Sequence, residues 1–414
     1  MPHADPIGGA GDTALARCVA RTADVFAIEF WGRAPLLSRA AELPGSFTDL
    51  LSAAAVDELV SERGLRTPFL RMAKEGSVLP AARFTRGGGA GATIADQAAD
   101  DKILGAMDDG ATLVLQALHR SWPPLVEFAS RLAAELGHPA QVNAYITPPQ
   151  NQGFAAHYDV HDVFVLQVAG RKKWTIHAPV VDSPLDNQPW DKRKDAVAAA
   201  AEREPLIDTV LEPGDALYLP RGTIHAASAL GETSIHLTVG VHPLTRYHLV
   251  QHLLAAVQDD PALRASLPMG VDLGDPDVLG PELGATLAAL HRALDERTAP
   301  AAAEYLENNL MSRTRPEAIG PLAQLDAARE LTATSPVRLR RGLRVRVRPA
   351  DDGAVALVLL DRTVTLPAVA GDAVKTILAG DAFVPADLPG LDADDAVTIA
   401  RRLLREGVLV PAGG

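Results

Sequence analysis

Three side chains stand out for the chemistry their types and spacing permit. His157 and Asp159 lie two apart in a run rich in Val, Phe and Leu, FAAHYDVHDVFVLQVAG. On a strand, positions i and i+2 share a face, so both can reach one metal ion while Tyr158 points away. A second histidine would complete a set of two imidazoles and one carboxylate, which leaves open positions on non-haem Fe(II). His225 is the best candidate, in LEPGDALYLPRGTIHAA. There Pro213-Gly214 marks a turn, Ala216–Leu219 a short apolar strand, and Pro220-Arg221-Gly222 a second turn just before the histidine. His161 shares the Asp159 face of a regular strand and is the competing ligand. A lone H-x-D occurs by chance in many chains, and a single histidine in a barrel is often just a hydrogen-bonded residue. His177 and His236 read as packing residues.

Such a site needs short strands to hold it. From Gln141, apolar runs of four to eight residues recur between turn signals: VNAYIT, VFVLQVAG, WTIHAPV, ALYLP and SIHLTVGVH. That spacing predicts a β-barrel or sandwich ending near Pro243. Upstream, helices are expected over 47–62, with Ser46 as N-cap, over Ile94–Gly105 and over Pro123–Leu136, the last closed by Gly137. Residues 66–79 read as two strands around a Lys74–Gly76 turn. The Gly-rich stretch 86–93 lacks the Gly-Lys-Ser/Thr ending of a phosphate loop and reads as a flexible loop.

Beyond the barrel the composition shifts. Leucines three or four apart over 246–265 and 281–310 predict amphipathic helices, with Pro268–Pro281 as their linker. The last hundred residues predict a small domain: strands over 345–349, 354–361 and 363–367, and helices over 373–380 and 392–407.

The 414 residues suffice for two or three domains. Cys18 is the only cysteine, which excludes an intrachain disulfide and any cysteine-cluster metal site and fits a reducing, cytoplasmic setting. No apolar run reaches the roughly 18 residues that would span a bilayer. MPHADPIGGAGDT has no basic n-region or apolar core, so residues 1–13 read as a disordered tail rather than a signal peptide. A net charge of −13 repels nucleic acid at long range and permits a basic protein partner.

The compound pattern of NAYITPP, HYDVHDVFVLQVAGRKKW, EPGDALYLPRGTIH and SIHLTVG resembles the JmjC, cupin-like oxygenases, and within them the ribosomal oxygenase branch. The resemblance implies an α+β chain: a JmjC/cupin-like catalytic domain over 14–245 built on a double-stranded β-helix, a helical dimerisation domain over 246–315 and a winged-helix-like domain over 316–414. It implies Fe(II) held by His157, Asp159 and His225, with His157 preferred to His161 by the family spacing. It also implies 2-oxoglutarate as co-substrate, its distal carboxylate paired with Lys172. Strand alternation likewise turns Lys172, not Arg171 or Lys173, inward. Asn143, Tyr145 and Thr238, polar residues on apolar strands, carry over as co-substrate contacts; bonding to nearby backbone is their alternative role.

The implied activity is hydroxylation of a protein side chain, with a ribosomal protein as the family-based substrate and a homodimer as the assembly. Two other readings stay open: a hydroxylase of a biosynthetic peptide or small molecule on the same fold, and a non-catalytic metal-binding scaffold. A basic stripe runs through Arg338, Arg340, Arg341, Arg344, Arg346 and Arg348, but Asp392, Asp394 and Asp395 stand where a DNA-reading helix would begin. Nucleic acid is therefore not the expected partner.

Overall fold

The computed structural model describes residues 13–74, 76–149, 151, 155–258, 260–294 and 298–413. The expected tail over 1–13 lies outside them except for Thr13. The chain divides into two compact units, one reaching to His242 and resuming over Thr314–Gly414, the other Pro243–Arg313.

In the first unit, eight antiparallel strands form one sheet in the order Leu36–Ser38, Ala216–Leu219, Asp162–Ala169, Ser234–Val241, Ala140–Thr147, Thr112–Leu115, Leu70–Lys74, Ser77–Val78. Lys172–His177, flanked by Ile207–Leu211 and Ile224–Ala229, makes a second, three-stranded sheet. The period-2 pattern assigns the faces. Val163, Val165, Leu217 and Leu219 point between the sheets to meet Trp174, Ile176 and Leu211. Their neighbours Phe164, Leu166 and Val168 join Val142, Ala144 and Ile146 in the main core on the other face. Asp162–Ala169 is thus apolar on both faces, which is why it reads as a continuous hydrophobic run.

Helix Pro123–Leu136 covers that outer core. Pro123 starts it, and Gly137 ends it with φ of 69°. Leu125, Phe128, Ala129, Leu132 and Ala133 form its buried stripe. Each large side chain in it contributes roughly 1.5–3 kcal/mol by leaving water.

Two other helices begin later than the sequence pattern suggests. The first spans Ala53–Ser61, with Ser52 rather than Ser46 accepting from Ala55 N at 3.2 Å. Phe47, Leu50 and Leu51, apolar enough to extend the helical pattern, are instead buried in the preceding turns. The second spans Asp100–Asp108, because Gln97–Ala98 pairs as a strand with Thr85–Arg86.

The 243–313 unit holds helices Arg246–Ala256, Pro276–Ala293 and Thr298–Arg313. Pro281 sits inside the second helix, whose start is set by Asp275 accepting from Asp277 N at 2.9 Å. Residues 268–281 are therefore not all linker.

The C-terminal hundred residues carry a core of their own. Strands Arg346–Pro349, Val355–Val358 and Thr363–Leu366 form a meander, and helices Gly371–Leu378 and Ala393–Arg405 follow. Asp392 caps the last helix by accepting from Asp395 N at 2.8 Å, so the acidic run there begins a helix in the ordinary way. A helix over Pro321–Glu330 and a Val337–Leu339 strand were not evident from the sequence; the strand pairs with Leu409–Pro411, the VLVP run after the last helix that does read as a strand. No helix among the described residues is long and apolar enough to cross a membrane.

Candidate metal centre

His157 and Asp159 lie just before strand Asp162–Ala169 rather than on a strand as their spacing suggested, because only His157 pairs there, in a single bridge to His225 on strand Ile224–Ala229. Backbone hydrogen bonds join these segments: His157 N donates to His225 O at 3.2 Å, and His225 N to His157 O at 2.8 Å. Gly222 N donates to Asp159 O at 2.9 Å, tying the PRG turn to the carboxylate residue. One possible ligand atom from each of His157, Asp159 and His225 lies within 4.8 Å of those of the other two. The competing His161 stacks on His242 with ring centroids 4.9 Å apart and is outside that group.

The tautomers follow from the neighbours. His157 Nδ1 lies 2.7 Å from Ala155 O, and His225 Nδ1 lies 3.0 Å from Thr223 O. A carbonyl only accepts, so both Nδ1 atoms carry the proton and both Nε2 atoms present a lone pair. His225 Nε2 is 3.8 Å from Asp159 Oδ2. Burial, and then the nearby His157, push the His225 imidazole down to about 4, so it is neutral at pH 7. Burial pushes the Asp159 carboxyl up, but His161, His225, His157 and His242 together outweigh that and hold it below its usual value. Two imidazoles and a carboxylate suit a borderline divalent cation.

A cavity of about 330 Å³ opens beside the three residues. Lys172 reaches into it from the second sheet, 4% exposed, with Nζ donating to Thr147 Oγ1 at 3.1 Å. Burial alone pushes its ammonium down to about 7. The neighbouring Lys173 points outward to Asp208 at 3.3 Å. The turn before them requires Gly170: its φ is 63°, and a Cβ there would stand 2.2 Å from Thr233 O.

Tyr145 and Thr238 also line the cavity. Asn143 does not. Its Oδ1 accepts from Ala117 N at 3.0 Å, where the chain turns with φ of 55° into the helix Leu118–Ser121. The side chain shares a strand with Tyr145 but serves that turn.

Several lining residues escaped the sequence reading. Arg71 hydrogen-bonds Tyr145. His236, read as packing, lines the cavity, stacks on Tyr145 at 5.0 Å and meets the Trp174 edge at 5.5 Å. Burial and then Lys172 keep its imidazole neutral. The signal was available in principle: His236 pairs with Tyr145 across adjacent strands, so the two share a face. Asp162 is a further omission. Wholly buried, it accepts from Tyr218 OH at 2.7 Å and from Arg221 N at 3.0 Å, fixing the turn that delivers His225.

Residues 124–249 match the JmjC domain family. The chain is 32% identical over 252 residues to ribosomal oxygenase 1 of Gallus gallus, covering 59% of this chain and 40% of that protein. It is 28% identical over 259 residues to the bifunctional lysine-specific demethylase and histidyl-hydroxylase NO66 of Drosophila mojavensis, covering 60% of this chain and 28% of that protein. It therefore spans well under half the length of these relatives. The fold also matches the Escherichia coli ribosomal oxygenase YcfD solved with cobalt and 2-oxoglutarate. There the TM-score is 0.52 and the identity 17%, over 94% of this chain and 98% of that one. At that identity the likeness speaks to fold.

Proposed function

We propose that the chain is an Fe(II)- and 2-oxoglutarate-dependent oxygenase that hydroxylates a protein side chain, with a ribosomal protein as substrate. The observation that carries this reading is the convergence of His157, Asp159 and His225 on a cavity that a buried lysine also lines. Names and titles of similar proteins point the same way: ribosomal oxygenase, histidyl-hydroxylase, and a relative holding cobalt and 2-oxoglutarate.

The residues present fit the absent groups. His157 and His225 would offer Nε2 to the iron, and Asp159 a carboxylate oxygen, leaving up to three positions for co-substrate and oxygen. Iron with 2-oxoglutarate supplies the oxidising chemistry when bound. Lys172 would pair as a point charge with the distal carboxylate, and Thr147 would keep the ammonium aimed into the cavity. Tyr145 and Thr238 offer hydroxyls to the same ligand. Trp190, whose ring centroid lies 6.0 Å from that of His157, and Trp174 shield the site from water.

The 243–313 unit suits a homodimer contact. Val250, Leu254, Leu283 and Leu287 are each at least 46% exposed within it, an apolar surface that calls for cover. The 316–414 segment, with its helices and hairpin strands, suits a winged-helix-like domain in a protein-contact role, and one buried free cysteine suits the cytoplasm. Succinate release with Fe(II), ascorbate and fragments of ribosomal proteins tests the activity. Turnover on a fragment, and none on free amino acids or small peptides, is the expected result. Absence of 2-oxoglutarate turnover with every substrate would return the chain to a metal-binding scaffold.

A further inference from the structure

Arg71 lines the metal-centre cavity, and the chemistry above gives it no part. Strand register shows how it comes to face the site. Arg71 stands opposite Val114, Val114 opposite Tyr145, and Tyr145 opposite His236, so the four form one row across adjacent strands. Residues paired in this way project from the same face of a sheet. Arg71, Tyr145 and His236 all line the cavity, which identifies that face. Two strand spacings, roughly 10 Å, separate the backbones of Arg71 and Tyr145, a span that an extended arginine covers. Its stem must cross Val114, which is wholly buried, and its head hydrogen-bonds the phenol.

The Tyr145 ring is held in place by its neighbours. It stacks on His236 at 5.0 Å with 7° between the planes, and the His236 ring meets the Trp174 edge at 5.5 Å. The freedom left to the phenol is rotation of its O–H about the C–O bond. A guanidinium only donates, so the phenol oxygen accepts from Arg71 and its proton lies on the other side. Burial and then the Asp159 carboxylate push this phenol above its ordinary range, and Arg71 opposes them only in part, so the proton is retained at neutral pH. Lys172 is a separate anchor. Burial alone lowers its ammonium, and its Nζ is turned to Thr147.

We infer that Arg71 is a positioning residue for co-substrate binding: by donating to the Tyr145 hydroxyl, it turns the phenol proton toward a carboxylate of 2-oxoglutarate. The inference rests on the 2-oxoglutarate reading above. An O–H aimed at a carboxylate in advance makes a charge-assisted hydrogen bond without the cost of reorientation. In this role Arg71 works through Tyr145 rather than by touching the ligand.

A double-mutant cycle tests it, on full-length protein loaded anaerobically with Fe(II) and titrated with 2-oxoglutarate. Arg71→Met and Tyr145→Phe each raise the dissociation constant by about five- to tenfold, the worth of one hydrogen bond. The double variant binds within about twofold of Y145F, because Arg71 has nothing left to orient. Arg71→Lys, which keeps a donor at nearly the same reach, recovers most of the affinity lost in R71M. Iron affinity and melting temperature stay at the parent values. If R71M binds 2-oxoglutarate as the parent does, or if its effect persists in full in the Y145F background, the inference is wrong and the oxygenase reading stands. If iron affinity falls instead, Tyr145 serves Asp159 and the inference is again wrong. A parent that binds iron but no 2-oxoglutarate would sink both.

Discussion

His157 and His225 lie on segments far apart in sequence, yet each donates its backbone N–H to the other's carbonyl, at 3.2 and 2.8 Å. The same bridge sets their ring centroids 4.5 Å apart. Ligand spacing is thus fixed by main-chain pairing, with the tautomers fixed by Ala155 and Thr223. Replacing His225 by Ala removes a ligand and leaves the bridge. The expected outcome is loss of metal binding with a melting temperature, measured without metal, within a few degrees of the parent.

Lys172 gives a prediction that separates binding from folding. A Lys172→Met substitution deletes the cation in a wholly buried position at similar volume. One charge-assisted hydrogen bond is worth about 1.5–3 kcal/mol, so the dissociation constant for 2-oxoglutarate should rise by about 10- to 100-fold. The melting temperature should hold or rise, because a buried ammonium is costly. Calorimetry and thermal denaturation read the two effects.

The direction of the Lys172 shift also sets a pH dependence. Burial lowers its pKa to about 7, so above pH 7 the empty site is largely neutral. A bound carboxylate favours the charged form and raises the pKa again. Binding between pH 7 and that raised value therefore takes up a proton, and affinity falls as pH increases by up to about tenfold per unit. Titration calorimetry in buffers of different ionisation enthalpy should show this uptake at pH 8 and lose it in K172M.

Asp162 positions the His225 turn without belonging to the metal set. Asp162→Ala strands Tyr218 OH and Arg221 N in a buried region and should cost about 3–5 kcal/mol. Tyr218→Phe removes two bonds, one donated to Asp162 and one accepted from Gly32 N, and should cost about 1–3 kcal/mol. Denaturant unfolding measures both. A loss of metal affinity in Y218F larger than its loss of stability would mark the turn as the transmitted fault.

The central strands and the three converging side chains were legible because each carries a local signal. Period-2 alternation placed Lys172 inward, and Pro-Gly and Pro-Arg-Gly turns bracketed the strand before His225. Helix starts were less legible: Phe47 and Leu51 are apolar enough to extend a helical pattern, and only tertiary packing takes them out of it. Asn143 shows a related limit. Its alternation is right, but the partner that claims its oxygen, Ala117, comes from another strand's end. Arg71 and His236 needed strand register, which pairs residues distant in sequence.

The most direct test of the account is an anaerobic titration of the protein with Fe(II) and then 2-oxoglutarate, followed in the visible spectrum. The account predicts one iron per chain and a charge-transfer band that appears on adding 2-oxoglutarate, both lost in Asp159→Ala and His225→Ala. Parent-like iron binding and an undiminished band in those two variants would contradict it.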